Sequence, residues 1–221
     1  MQSQWGSRAA MGSLLDILAI AARGDVRADV QKELERHLAQ LNVFQSKPGV
    51  DSARLRTVMS NLLRLRADLV ACGSNYLAGL KDSEFLSAIK HRSAIPGGTC
   101  EFDLPAYYAW QQLPAKRRRA DLLQWVSPLM PLAEALQVLL GLLRDSGAPH
   151  KVMALGGQYS QSLAAGRVFQ LMRVRLDSDP ALVPEISGHR LMVQVRLMRQ
   201  EADGRLRPAT DDTAFELTLC A

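Results

Sequence analysis

The side chains best suited to nucleophilic or metal chemistry here are His37, His91, His150 and His189, with Cys72, Cys100 and Cys220. Their spacing supports neither chemistry. No histidine stands at ligand spacing from another histidine, a cysteine or an acid, and no two cysteines have the separation of a zinc site. There is no nucleophile elbow, P-loop or dinucleotide fingerprint; the pairs Gly97-Gly98 and Gly156-Gly157 read as turns. Cys100 falls on the apolar face of an expected strand and reads as a core residue. Catalytic residues, metal ligands and cofactors are therefore all assigned as none. Cysteines that are few, odd in number and far apart also argue for a reducing compartment and against a disulfide framework.

The basic residues say more. The chain of 221 residues carries a formal net charge of +5, with arginine far outnumbering lysine, and a pI near 9.4. That balance suggests an anionic partner without naming one. Arg173 and Arg175 alternate with Met172, Val174 and Leu176. Arg196 alternates with Val195 and Leu197, and Arg190 and Arg196 are expected on the same polar face of that next strand. On strands this pattern puts an arginine stripe on the wet side of a sheet, and the arginine fork suits carboxylates. An ordinary solvated face balanced by Glu101, Asp103 and Glu216 is the plainer reading. The run Lys116-Arg-Arg-Arg119 reads as a solvated helix start. The sharper alternative is a nucleic-acid patch, with Tyr107, Tyr108 and Trp110 as stacking platforms.

The elements that must position these groups are of two kinds. Apolar residues at helical spacing run through Val30, Leu34, Leu38 and Leu41, and then Leu55, Val58, Leu62, Leu65 and Leu69. Gly24 ends a first helix, Asp25 and Asp51 cap the next two, and Asp82 or Ser83 caps a shorter one. Pro96-Gly97-Gly98 stops helical structure. Cys100, Phe102 and Leu104 then alternate with Glu101 and Asp103 as a short strand. A long apolar helix over 119–146 should bend at Pro128 and Pro131. From His150 on the period is two, and Asp203-Gly204, between the strand of Val193, Val195 and Leu197 and that of Phe215, Leu217 and Leu219, marks a hairpin turn. The expectation is an α+β chain: a helical domain over 11–93 and 115–147, packed with a smaller antiparallel β domain over 97–113 and 150–221. No apolar run reads as long enough to span a bilayer. Arg8 followed by Ala9 to Ala21 looks a little like a signal peptide, but Asp16 and the helical spacing of Leu14, Leu15 and Leu18 argue for an ordinary helix.

Three segments together resemble one family: Ile95-Pro-Gly-Gly-Thr-Cys-Glu-Phe-Asp-Leu-Pro105 with Trp110 and Leu113-Pro114; Ile186-Ser-Gly-His189; and Phe215-Glu-Leu-Thr-Leu-Cys220. In that order they are similar to the ZapD division proteins. Leu14 to Leu18, Arg23-Gly-Asp-Val-Arg27, Lys32 to Glu35, Pro48 to Asp51 and Gln170 to Val174 extend the likeness from about Ser13 to the end. The resemblance implies a ZapD-like fold and a non-enzymatic cytoplasmic homodimer at the mid-cell division site. It implies binding of the C-terminal tail of FtsZ and cross-linking of FtsZ filaments, with no membrane and no nucleic acid as partner. Carried over position by position, it implies that Arg23, Lys90, Arg92, Arg173, His189, Arg190 and Arg196 bind the FtsZ peptide. Glu84 and Met192 stand where relatives have basic residues. Met1 to Ala10 does not match the helical segment with which the family begins. If that helix is absent, apolar surface is left exposed on its neighbours.

Overall fold

A computed structural model of the chain describes residues 3–164, 166, 168–177 and 181–221. It divides into two compact units, Met1–Val138 and Leu139–Ala221.

The first unit is helical. It holds α1 (Gln4–Ala21), α2 (Val26–Phe44), α3 (Ser52–Ala71), α4 (Ala78–Lys81), α5 (Glu84–Ser93), α6 (Pro105–Gln112), α7 (Ala115–Val126) and a 3-10 turn at Ser127–Leu129. The last helix, α8 (Met130–Asp145), runs across the division. The caps are those the sequence calls for. Asp25 accepts from Ala28 N, Asp51 from Ala53 and Arg54 N, and Ser83 from Leu86 N, each satisfying amides that a helix start leaves without a partner. The stripes Val30, Leu34, Leu38 and Leu55, Leu62, Leu65, Leu69 are buried. A second core gathers Met11, Leu14, Leu86, Ile89, Tyr107, Trp110 and Leu122 from four helices. Trp110 stacks on Tyr107 at 5.9 Å between centroids and donates its indole N–H to Asp121.

Residues 4–10, which match nothing in the resemblance, form the start of α1. Ser3 caps that helix, and Ser7 is buried at 1% exposure.

Two expectations fail in this unit. The first is the strand at 100–104 and, with it, the placing of 97–113 in a β domain. Gly97 takes φ +75°, successive turns follow, Leu104 N donates to Cys100 O in a helix-like bond, and Pro105 then opens α6. Three alternating residues are too short a pattern to require a sheet. Phe102 is 91% exposed and Cys100 is exposed, not core. The second concerns the span Ala115–Asp145. Its 31 helical residues are long and apolar enough, by length and composition, to cross a membrane, and 22% of the most apolar stretch is buried. Pro128 lies in the 3-10 helix at Ser127–Leu129 and Pro131 in the first turn of α8, and helical structure continues through both. Glu134 within it pairs with Arg64 of α3 at 2.5 Å.

The second unit holds β1 (His150–Ala154), β2 (Gln158–Ser162), β3 (Leu171–Leu176), β4 (Leu182–His189), β5 (Met192–Gln200), β6 (Leu206–Pro208) and β7 (Thr213–Cys220). All pairings are antiparallel. One sheet has the order β1-β7-β3; the other has β2-β5-β4, with β6 also on β5. Gly156 and Gly157, at φ +55° and +73°, make the two-residue turn from β1 to β2. The Asp203-Gly204 turn joins β5 to the short β6, so β6 lies in sequence between the two strands expected to form that hairpin. Ala154, Val195, Leu197, Phe215 and Leu217 form the core.

Candidate functional site

Each cation must be placed on its own unit. In the helical unit, Arg23 lies exposed in the turn between α1 and α2. Lys90 and Arg92 occupy the last turn of α5, where the helix dipole favours positive charge. Arg92 pairs with Asp103 at 3.8 Å, tying the glycine loop to that helix.

In the β unit the alternation puts Arg173, Arg175 and Arg196 in solvent. They do not form one stripe. Arg173 and Arg175 are on β3, while Arg196 is on β5 of the other sheet. The expectation of a single row assumed that consecutive strands pair, but β7 comes back to lie between β1 and β3. Arg173 stands opposite Thr218 and donates to Arg144 O at 3.4 Å. Arg175 stands opposite Glu216 and pairs with it at 3.6 Å. These two line a groove of about 420 Å³ with Pro149.

The second sheet offers freer charge. His189 ends β4, Arg190 sits in the turn, and Arg196 is four residues along β5. Arg190 was expected on a strand face and is instead in that tight turn. Among the described residues neither Arg190 nor Arg196 makes an ion pair or side-chain hydrogen bond, whereas His189 Nδ1 accepts from Leu191 N. The register sets two polar rows across the outer face, Gln158–Arg196–Glu185 and Ser160–Gln194–Ser187. They line a shallow groove of about 450 Å³. The row neighbours Gln158, Ser160, Ser187 and Gln194 were not singled out from sequence. Only the β2–β5–β4 register brings them together, and no local signal carries it.

The basic run on α7 reads differently in three dimensions. Arg118 is 5% exposed; its Nε donates to Ser7 Oγ at 3.0 Å and its Nη1 to the carbonyls of Gln111 and Leu113. Arg117 pairs with Asp121 at 3.1 Å. Tyr107 and Trp110 are buried among Phe85 and Trp125. The stacking platforms a nucleic-acid patch requires are thus core residues, with Tyr108 alone of the three exposed. Among the described residues no group of three or more His, Cys, Asp or Glu is placed to hold a metal ion.

The family model described as "ZapD: Cell division protein" matches residues 1–196. The "Cell division protein ZapD" of Ralstonia nicotianae (strain ATCC BAA-1114 / GMI1000) is 45% identical over 213 residues, covering 96% of this chain and 84% of that protein. The protein of the same description from Ralstonia pickettii (strain 12J) is 43% identical over 212 residues, with the same coverage. The α+β architecture stands beside these likenesses, and the chain belongs to the ZapD family of non-enzymatic cell division proteins.

Proposed function

We propose that this chain binds the C-terminal peptide of FtsZ and, as a homodimer, cross-links FtsZ filaments at the cytoplasmic division site. The observation that carries this reading is the pair of unpaired, exposed arginines on the second sheet, Arg190 and Arg196, beside a polar groove. A carboxylate-bearing peptide meets there cations that make no ion pair among the described residues, although Glu185 stands opposite Arg196 in the register, so binding breaks no ion pair within the fold. His189 ends the same strand edge, and Arg173 lies on the other sheet of the same unit as a separate exposed cation. Arg23, Lys90 and Arg92 supply a second set of exposed cations on the helical unit. The homodimer draws support from large apolar side chains left in solvent on three helices, Leu63 and Val70 of α3, Leu123 of α7 and Met130 of α8. Two copies joined through such a surface would hold two tails, and bivalency raises avidity without any new contact to either tail.

Co-sedimentation with polymerised FtsZ tests the reading. The protein is expected to pellet with and bundle intact FtsZ, and to lose both effects when the FtsZ tail is removed. Equal bundling of the tail-less polymer would refute peptide binding.

A further inference from the structure

We propose that the free edge of β4 receives the partner peptide as an added β-strand, so that backbone hydrogen bonds hold it and the arginines orient it. This rests on the peptide-binding reading above and specifies its geometry.

The edge is open. Among the described residues β4 pairs with β5 alone, along all eight of its residues from Leu182–Arg199 to His189–Met192. Glu185 to His189 are exposed in sequence without a break. An exposed edge presents a row of unpaired amides and carbonyls, a template for another strand. Proteins that do not use such an edge blunt it with a lysine, a proline or a bulge. Here Pro184, having no amide to donate, and the charged Glu185 guard only the start, and Ile186 to His189 carry neither a lysine, a proline nor an acid. They include Ser187 and Gly188, whose small side chains leave room for a second backbone. At about 3.3 Å per residue the exposed stretch from Glu185 to His189 spans ~17 Å, room for a peptide of about five residues.

Both faces of this edge predict the same partner chemistry. On the inner face, Ile186 is in register with the buried Val195 and with Tyr159. Yet it is 47% exposed, because the core has no strand beyond β4 to close it. An added strand would lay an apolar side chain against Ile186. On the outer face its alternate side chains would lie beside Glu185 and Ser187, near the groove that contains Arg196. The turn end adds His189 and Arg190. The occupant that fits is an extended peptide alternating apolar and polar residues, with a carboxylate at the Arg190 end, while Arg196 shares its row with Glu185 farther along the edge. The β3 edge offers less, because its arginines already bind Arg144 O and Glu216. Strand addition also separates affinity from specificity, the main chain giving the first and alternate side chains the second.

The experiment is an N-methyl scan of a synthetic FtsZ tail peptide, titrated onto the intact protein and read by fluorescence anisotropy. Methylating an amide removes one donor and leaves every side chain in place. Strand addition predicts losses of tenfold or more at every second residue of the docked stretch and little change between them. Methylation would also weaken a helical docking mode, but without the period of two. A flat scan, or losses without alternation, overturns the added strand while leaving peptide binding intact. Failure of the unmethylated peptide to bind overturns the functional reading itself, so the two failures are distinguishable.

Discussion

Arg118 and Arg119 are neighbours in sequence with opposite fates. The first is buried and bonded to Ser7 and to two carbonyls at the end of α6 and just beyond it; the second stands in solvent. A run of four cations contains nothing that separates them, because the distinction arises from which way α7 turns against α1 and α6. Arg118→Ala would leave three acceptors without their charged donor. Since hydrogen bonds to charged groups contribute about 1.5–3 kcal/mol each and are not additive, a loss of about 3 kcal/mol is expected. Arg119→Ala should stay within about 0.5 kcal/mol of the parent. Urea denaturation of the two variants checks this, and equal midpoints would show that Arg118 is not structural. The strand arginines were more legible. Period-two alternation at Arg173, Arg175 and Arg196 predicts exposure, and the structure exposes all three. Charge-assisted contacts add most when desolvated and about 0–1 kcal/mol when exposed. Reversing two cations also creates repulsion, so Arg190→Glu with Arg196→Glu is expected to weaken tail-peptide binding about tenfold or more. The melting curve should hardly move, because neither side chain has a folded-state partner among the described residues. Calorimetric titration beside a thermal melt separates a binding role from a structural one.

At the scale of elements, helix starts were the easiest features to read and sheet order the hardest. Asp25, Asp51 and Ser83 each cap a helix through a local bond, two or three residues along, so sequence alone carries the signal. The insertion of β7 between β1 and β3 depends on pairings 39 to 67 residues apart in sequence, and no local pattern encodes it. The glycine loop after α5 lies between these cases. Its turn was legible from Pro96-Gly97-Gly98, since Gly97 needs a positive φ and a Cβ at Gly98 would come within 2.6 Å of Arg92 O. What followed was misread because Cys100, Phe102 and Leu104 alternate by accident. The pairing of α2 with α3 makes a further prediction. Burial, aided by the neighbouring Arg36, lowers the His37 pKa below its ordinary 6.5, with Glu33 opposing. Between that lowered value and 6.5 the unfolded chain takes up a proton that the folded one refuses. His37 therefore favours the fold fully above about pH 6.5, and this contribution falls as the pH drops through that window. Urea midpoints measured from about pH 7.5 to 5.5 should decline in the parent and decline less in His37→Gln. An unchanged slope would place the titration on another group.

For the whole molecule, the proposed cross-linking requires two peptide sites. A single peptide site would coat FtsZ, whereas bundling needs two sites held together. In the proposed dimer that role falls to the helical unit, where Leu63, Val70, Leu123 and Met130 are exposed large apolar side chains that a second copy would cover. The sequence stripes gave no warning of this, because a helical pattern shows which face is apolar but not how wide the apolar band must be to leave residues uncovered. The first ten residues, which fall within the family match although the resemblance did not reach them, do not account for it either, since residues 4–10 begin α1 and Ser7 joins the Arg118 network. If a second copy covers the exposed residues, a charged pair there should separate the copies without disturbing the β unit. Leu123→Glu with Met130→Glu is expected to shift sedimentation from dimer to monomer. Both positions are exposed, so the fold should keep its helical circular dichroism. The monomer should bind the isolated FtsZ tail peptide with parental affinity, because the cations of the second sheet are untouched. It should nevertheless fail to bundle polymerised FtsZ, having lost only the second site. Bundling that persists in a proven monomer would mean that one chain holds two tails, with the cations of the helical unit, Arg23, Lys90 and Arg92, as the second site.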